Sequence, residues 1–279
     1  MTQVEHIQGI SGIADRYDAF ILDIFGVLHD GIRPFAGTVE CLKELRAAGK
    51  VVCLLSNTPN RAARAQVHMA GMGIAPDLYD HIVTSGEATF EALQNRGRDL
   101  GDDCWFIGTD YGQSVLDGQN LTVLNGPEGA SFILNSIPGT EEREVELLRR
   151  QLRIAADRGL PMICANPDLV VNIGDTQHEC AGTFAAQYAA MGGRVTYYGK
   201  PHAPVYARCY ELLGRPDKAR ICAVGDSFHT DIAGANAFGI DSVFNVDGIH
   251  QEELRDLGIE DLIEKQTQKP TYILNGFAW

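Results

Sequence analysis

Residues 19–31 read Ala19-Phe20-Ile21-Leu22-Asp23-Ile24-Phe25-Gly26-Val27-Leu28-His29-Asp30-Gly31. An apolar run of strand length meets a carboxylate, and a glycine follows three residues later. Burying a carboxylate without a partner is expensive, so Asp23 needs a reason to be there. A helix or turn cap is the ordinary reason. A nucleophile or a metal ligand is the sharper one, and the rest of the chain decides between them.

Working outward, three more apolar runs end in polar residues. Residues 51–55 lead into Ser56-Asn57-Thr58-Pro59-Asn60, ahead of an Ala-rich helical stretch. Ser, Asn and Thr are common N-caps, and free N–H groups at a helix start also bind anions. Residues 195–198 lead into Gly199-Lys200-Pro201, where a lysine between Gly and Pro reads as a fixed positive charge. Residues 221–224 lead into Gly225-Asp226-Ser227-Phe228-His229-Thr230-Asp231. Gly225 allows a sharp turn, and two aspartates follow five apart. Together with Asp23 they form a plausible hard-cation set, because Mg²⁺ takes one or two carboxylates plus phosphate oxygens and water.

These runs belong to a pattern that covers the chain. Short runs rich in Val, Ile and Phe fall at 19–24, 51–55, 81–84, 104–107, 131–134, 162–165, 195–198, 221–224 and 242–245. Such runs are typical of buried strands. Helical spacing separates several of them. Val39, Leu42 and Leu45 stop at Gly49. Val145, Leu148, Leu152 and Ala155 follow the acidic Glu141-Glu142 and stop before Gly159 and Pro161. Val205, Cys209 and Leu212 stop at Gly214. Alternating strands and helices predict an α/β fold with mainly parallel sheets. In such sheets ligands bind beyond the carboxyl ends of the strands, where the four polar segments lie.

The 279 residues carry a formal net charge of −14, with 45% hydrophobic and 22% charged residues. These values exclude wholesale disorder and argue against nucleic-acid or anionic-lipid partners. About 150 residues per domain gives roughly two domains. No linker separates halves, so the second domain reads as an insertion. The cysteines, Cys41, Cys53, Cys104, Cys164, Cys180, Cys209 and Cys222, are scattered and odd in number. They suit a reducing cytoplasm better than a disulfide framework. No signal peptide and no membrane span is read.

The order Asp, Ser-Asn, Lys, Asp-x4-Asp, each at a strand end, resembles the haloacid dehalogenase superfamily of aspartate-nucleophile hydrolases. Further matches are the Asp-x-x-Gly-Val-Leu start, Ile107-Gly108-Thr109 and Cys164-Ala165-Asn166-Pro167-Asp168. They resemble the NagD/4-nitrophenylphosphatase-like group, which carries a large α/β cap. The resemblance implies a Rossmann-like, doubly wound parallel core at 1–88 and 195–279, with an inserted cap at 89–194. It implies a Mg²⁺-dependent phosphohydrolase for a small monophosphorylated metabolite. Asp23 would be the nucleophile. The Phe25 carbonyl and Asp226 would join Asp23 on the metal, and Asp231 would orient Lys200 or a metal-bound water. Ser56, Asn57 and the Gly26 N–H would hold the phosphoryl oxygens, with Lys200 bridging Asp23 and the phosphate. Substrate contacts would come from the cap, around Asn166 and Asp168 and the polar run 172–179.

One position departs from that family. Most of its phosphatases carry a second aspartate two residues after the nucleophile, as general acid and base. Here that residue is Phe25. Three readings follow: a phosphatase for a good leaving group or with another proton carrier such as His29, a carbon–halogen hydrolase, or a binding module with little turnover. The Asp226/Asp231 pair argues against the second, whose chemistry needs no metal. The apolar tail 272–279 is expected to form a last edge strand, the alternative being a subunit contact in a homo-oligomer.

Overall fold

The computed structural model describes residues 4–97, 100–173 and 176–279. The strands and helices follow in the order β1 (Glu5–Ile7), β2 (Ala19–Asp23), α1 (Thr38–Ala47), β3 (Val51–Ser56), α2 (Ala62–Gly71), β4 (His81–Thr84) and α3 (Ser85–Gln94). Next come β5 (Asp103–Ile107), β6 (Thr122–Leu124), β7 (Phe132–Asn135), α4 (Glu142–Asp157), β8 (Met162–Cys164), β9 (Val170–Ile173), β10 (Thr176–Glu179), α5 (Ala181–Ala190) and β11 (Val195–Tyr197). The chain closes with α6 (Ala203–Leu212), β12 (Ile221–Gly225), α7 (Ala233–Phe238), β13 (Asp241–Asn245), α8 (Gln251–Leu257), α9 (Ile259–Lys265) and β14 (Tyr272–Leu274).

Two compact units result. The first comprises Met1–Ser56, Ala63–Val83 and Lys200–Trp279, the second Asn57–Ala62 and Thr84–Gly199. The first holds a seven-stranded sheet in the order β1-β14-β13-β12-β2-β3-β4. From β2 the chain moves through α1 to β3, then later returns to β12 on the other side of β2. The strand order therefore reverses at β2, a switch point where a crevice opens at the carboxyl ends. Alternation along the strands fills both faces. Phe20, Leu22, Val52, Leu54, Val224 and Val243 pack in one cluster with α1 residues Leu42 and Leu45. Phe244 and Ile273, offset by one residue, pack in another with Phe228, Ile232 and Leu262. With both faces covered, the strands carry near-continuous apolar runs, the signal visible in the sequence.

The second unit repeats the logic on a smaller scale. Its sheet runs β11-β8-β7-β5-β6, each pairing parallel. Ile133 faces one cluster with Leu148, Leu152, Phe184 and Tyr188. Phe132 and Leu134 face the other with Leu93, Val115 and Ile163. A two-stranded antiparallel hairpin of β9 and β10 stands apart from this sheet.

The parallel, Rossmann-like α/β core is present, and the nine strands read from the sequence occur within a residue or two of their expected bounds. Sequence reading missed β1, β6 and the β9–β10 hairpin. The tail expectation needs correction. β14 is interior, paired in parallel with both β1 and β13, and the edge belongs to β1. Three residues of mixed polarity, Glu5-His6-Ile7, gave no strand signal of their own; pairing with β14 supplies it. All seven cysteines are free and buried. Among the described residues no helix is long and apolar enough to cross a membrane.

Leu152 is fully buried in the second unit. Leu152→Ala is expected to cost about 2–5 kcal/mol through lost burial and a residual cavity. Urea denaturation measures it; a loss below about 1 kcal/mol would mean that α4 relaxes onto the sheet.

Candidate active site

The register of the first sheet brings the expected residues to one level. Leu22 pairs with Val224, and Asp23 pairs with Leu55. Asp226 and Ser56 therefore emerge one residue beyond Asp23 on its two sides. Lys200 enters just ahead of α6. Its Nζ sits in direct contact with an Asp23 carboxylate oxygen and 2.7 Å from Asp231 Oδ1. Asp23, Asp226, Asp231 and Lys200 are each at most 7% exposed. The carboxylates of Asp23, Asp226 and Asp231 each offer an oxygen within 4.8 Å of the others.

The electrostatics follow from that packing. Burial, with Asp231 and Asp226 adding repulsion, drives Asp23 well above the carboxylate range against the pull of Lys200. Burial also raises Asp226, with help from Asp231, to about 7. Burial opposes the charge on Lys200, but Asp23 and Asp231 outweigh it and hold the ammonium above its ordinary range. Three carboxylates against one ammonium leave a formal −2 in a buried cluster, and a like-charge excess of that kind calls for a cation. The donors suit a hard divalent ion: carboxylates converge, and no sulfur or imidazole joins them among the described residues.

Backbone geometry fixes these groups. Asp226 Oδ2 accepts the Ile249 N–H at 3.0 Å. Asp231 Oδ2 accepts the Ser227 N–H at 3.2 Å, while Tyr206 donates its hydroxyl to the Asp231 carbonyl at 3.2 Å. Gly26 has φ +88°, and a Cβ there would overlap the Asp226 carboxylate. Gly248 lies equally close to Asp226 from the other loop. The Asn245 amide donates to the Gly26 carbonyl at 3.0 Å. Tyr206, Asn245, Gly248 and Ile249 escaped sequence reading. Asn245 at a strand end, followed by Gly248, was the one available signal.

One assignment is corrected. The Gly26 N–H, expected to face phosphoryl oxygens, donates to the His29 carbonyl at 3.0 Å. The glycine is required by the close approach of Asp226 and by its positive φ, not by anion binding. His29 also takes an unexpected role. Its Nδ1 accepts the Gly31 N–H at 2.9 Å, which places the ring hydrogen on Nε2. Burial and the neighbouring His68 push its pKa down to about 4. Asp30, next to His29, accepts the Ile32 and Arg33 N–H groups. Phe25 is 55% exposed, with its ring edge-on to His29 and against Gly31.

The residues of the second unit form their own network. Asn57 donates Nδ2 to Asp168 Oδ1 at 2.8 Å, and the Asp168 N–H donates to Asn166 Oδ1 at 3.1 Å. Ser85 ties the Asn57 carbonyl to the Ala165 carbonyl through its hydroxyl. Asn57, Asn166 and Asp168 are thus brought together, bound to one another. Tyr111, in a short helical turn after β5, has its hydroxyl 3.3 Å from Thr58 Oγ1. Of the polar run 172–179, Gly174 and Asp175 lie outside the described residues.

With this geometry in place, likeness to known proteins becomes informative. Residues 20–122 match the haloacid dehalogenase-like hydrolase family, and residues 197–279 match a second family of HAD-like hydrolases. A crystal structure of a haloacid dehalogenase-like hydrolase from Brucella suis 1330 superposes with a TM-score of 0.80. It has 31% identity and covers 98% of this chain and 100% of its own. The 4-nitrophenylphosphatase of Thermotoga maritima shares the fold at a TM-score of 0.75, with 24% identity over 95% of this chain and 96% of its own. D-glycerol 3-phosphate phosphatase of Mycobacterium tuberculosis is 24% identical over 95% of this chain and 71% of that protein. The acid sugar phosphatase of Staphylococcus saprophyticus is 23% identical over 92% and 94%. This chain belongs to the haloacid dehalogenase-like hydrolases, and it is an enzyme of that hydrolase family.

The raised Asp226 sets a pH dependence. Between the ordinary carboxylate value of 3.8 and about 7, the folded chain holds a proton that the unfolded chain has lost. Rising pH therefore favours unfolding across this window. In chelator, the melting temperature is expected to fall as pH rises through it, and Mg²⁺ is expected to reverse the fall at pH 7 and above. Circular dichroism melts across the window check this; a melting temperature indifferent to Mg²⁺ at neutral pH would contradict a cation site.

Proposed function

We propose that this protein is a Mg²⁺-dependent phosphohydrolase for a small monophosphorylated metabolite, acting through an aspartyl-phosphate on Asp23. The observation that carries the reading is the buried Asp23–Lys200–Asp231 contact with Asp226 alongside. Relatives named as phosphatases of glycerol 3-phosphate and of sugars support the small phosphorylated substrate. A cytoplasmic location is part of the proposal, consistent with seven buried free thiols.

In this reading Asp23 attacks phosphorus, and a carboxylate suffices as nucleophile when positive charge offsets the phosphate. A Mg²⁺ held by Asp23, Asp226 and the Phe25 carbonyl would supply charge neutralisation. Lys200, fixed by Asp23 and Asp231, bridges nucleophile and phosphoryl oxygens without reorganising. Ser56, at the end of β3, donates its hydroxyl to a phosphoryl oxygen. Asp231 keeps Lys200 in place. The second unit acts as the cap and carries substrate selection, with Asn57, Asn166 and Asp168 as its polar foundation. Phe25 favours one second reading, a metabolite-binding protein with little turnover, because it supplies no proton.

Asp23→Asn is expected to reduce hydrolysis of 4-nitrophenyl phosphate to background, with excess chelator doing the same to the unaltered protein. Equal activity in that variant would refute the nucleophile. Phe25→Asp is expected to raise turnover at least about tenfold, since a placed acid–base group is worth about 10²–10⁴ in rate. Steady-state kinetics of the two proteins decides; no gain would assign proton transfer to another group.

A further inference from the structure

The groups around Asp23 can neutralise and orient a phosphate, but the loop that follows Asp23 gives them nothing with which to protonate a leaving oxygen. Phe25 is a hydrocarbon ring seated against Gly31 and the edge of His29. The His29 Nδ1 is occupied by the Gly31 N–H, and its ring is 5% exposed. His68 packs edge-to-face with it, ring centroids 5.8 Å apart. The Asp30 carboxylate turns back onto its own loop. Lys200 is committed to two carboxylates. Two large apolar side chains of the neighbouring loops are exposed, Phe25 by 55% and Ile249 by 61%. Phe25 precedes Gly26, whose backbone packs against Asp226, and the Ile249 N–H donates to Asp226.

We propose that the substrate is a phosphate whose leaving oxygen sits on an unsaturated carbon — an aryl, enol or acyl phosphate with an apolar body — and departs as an anion without a proton from the protein. This rests on the phosphohydrolase reading and narrows its substrate class. In the first step an Asp23 oxygen bonds to phosphorus. The bond from phosphorus to the leaving oxygen breaks, and its electron pair leaves as phenolate, enolate or carboxylate. In the second step a water oxygen bonds to phosphorus and the electron pair of the phosphorus–Asp23 bond returns to the carboxylate. One water proton stays on phosphate and the other goes to solvent. With no base on the loop to take that proton, the second step is the slow one, and the phosphorylated Asp23 accumulates.

A series of substituted phenyl phosphates tests this with the full chain in Mg²⁺. In the first step's constant, kcat/KM, a fall on the order of tenfold per unit of leaving-group pKa is expected, because the departing oxygen carries its full charge. kcat should stay level across the activated esters, preceded by a burst of about one phenolate per site. Phe25→Asp should flatten the slope and abolish the burst. Glycerol phosphate, an alkyl ester, should be turned over at least about 100-fold less well than 4-nitrophenyl phosphate by kcat/KM. A flat slope, or comparable use of the alkyl ester, would overturn the proposal and show that a proton donor reaches the leaving group, from the second unit or elsewhere. Failure of the underlying reading looks different: no phenolate from even the most activated ester, or release unchanged in Asp23→Asn. Acetyl phosphate alongside phenyl esters separates acyl from aryl sources of the same chemistry.

Discussion

A buried ammonium held between carboxylates is the constraint on which the site depends. Lys200 contacts Asp23 and Asp231, and Asp226 crowds the same space. Removing one partner from a buried charge set leaves the others uncompensated, at about 3–5 kcal/mol. The arrangement is therefore poor as a stabilising device. It suits the proposed role as a receptor for charge, in which a divalent ion would complete the positive side and admit an anion. The surrounding backbone accepts constraints to keep it so. Gly26 and Gly248 give up side chains to let Asp226 approach, and Asn245 and Ile249 hold loops from two different crossovers against it.

The loop after Asp23 is built around an aromatic ring: Phe25 packs against Gly31 and edge-on to His29. His29 turns an acceptor nitrogen inward to Gly31, so the nearest imidazole stabilises the loop. Under the proposed reading, the Phe25 loop narrows what the family's scaffold acts upon.

Legibility of the site in the sequence followed from its position in the fold. Asp23 and Ser56 end strands, Asp226 and Lys200 follow closely after them, and strands buried on both faces announce themselves as apolar runs. Nine strands of the two parallel sheets were readable for the same reason. Short or half-polar elements were not. β1, with Glu5 and His6, is a strand only because β14 offers it an open edge, and the β9–β10 hairpin has no periodicity to distinguish it from a polar loop. The tail was misread as an edge because apolar character tells of burial and not of which neighbour covers it.

The sequence alone determined the alternation of strand and helix, the parallel class, the identity of the charged residues and the aromatic residue at position 25. These are properties of local pattern and residue chemistry. Tertiary structure decided what depends on two distant segments meeting. It made Lys200 the shared partner of Asp23 and Asp231, turned the Gly26 N–H toward His29, and bound Asn57 to Asp168 across 111 residues. Hydrogen bonds and ion pairs act over a few ångströms, and only the folded register of the sheets brings such groups within that range.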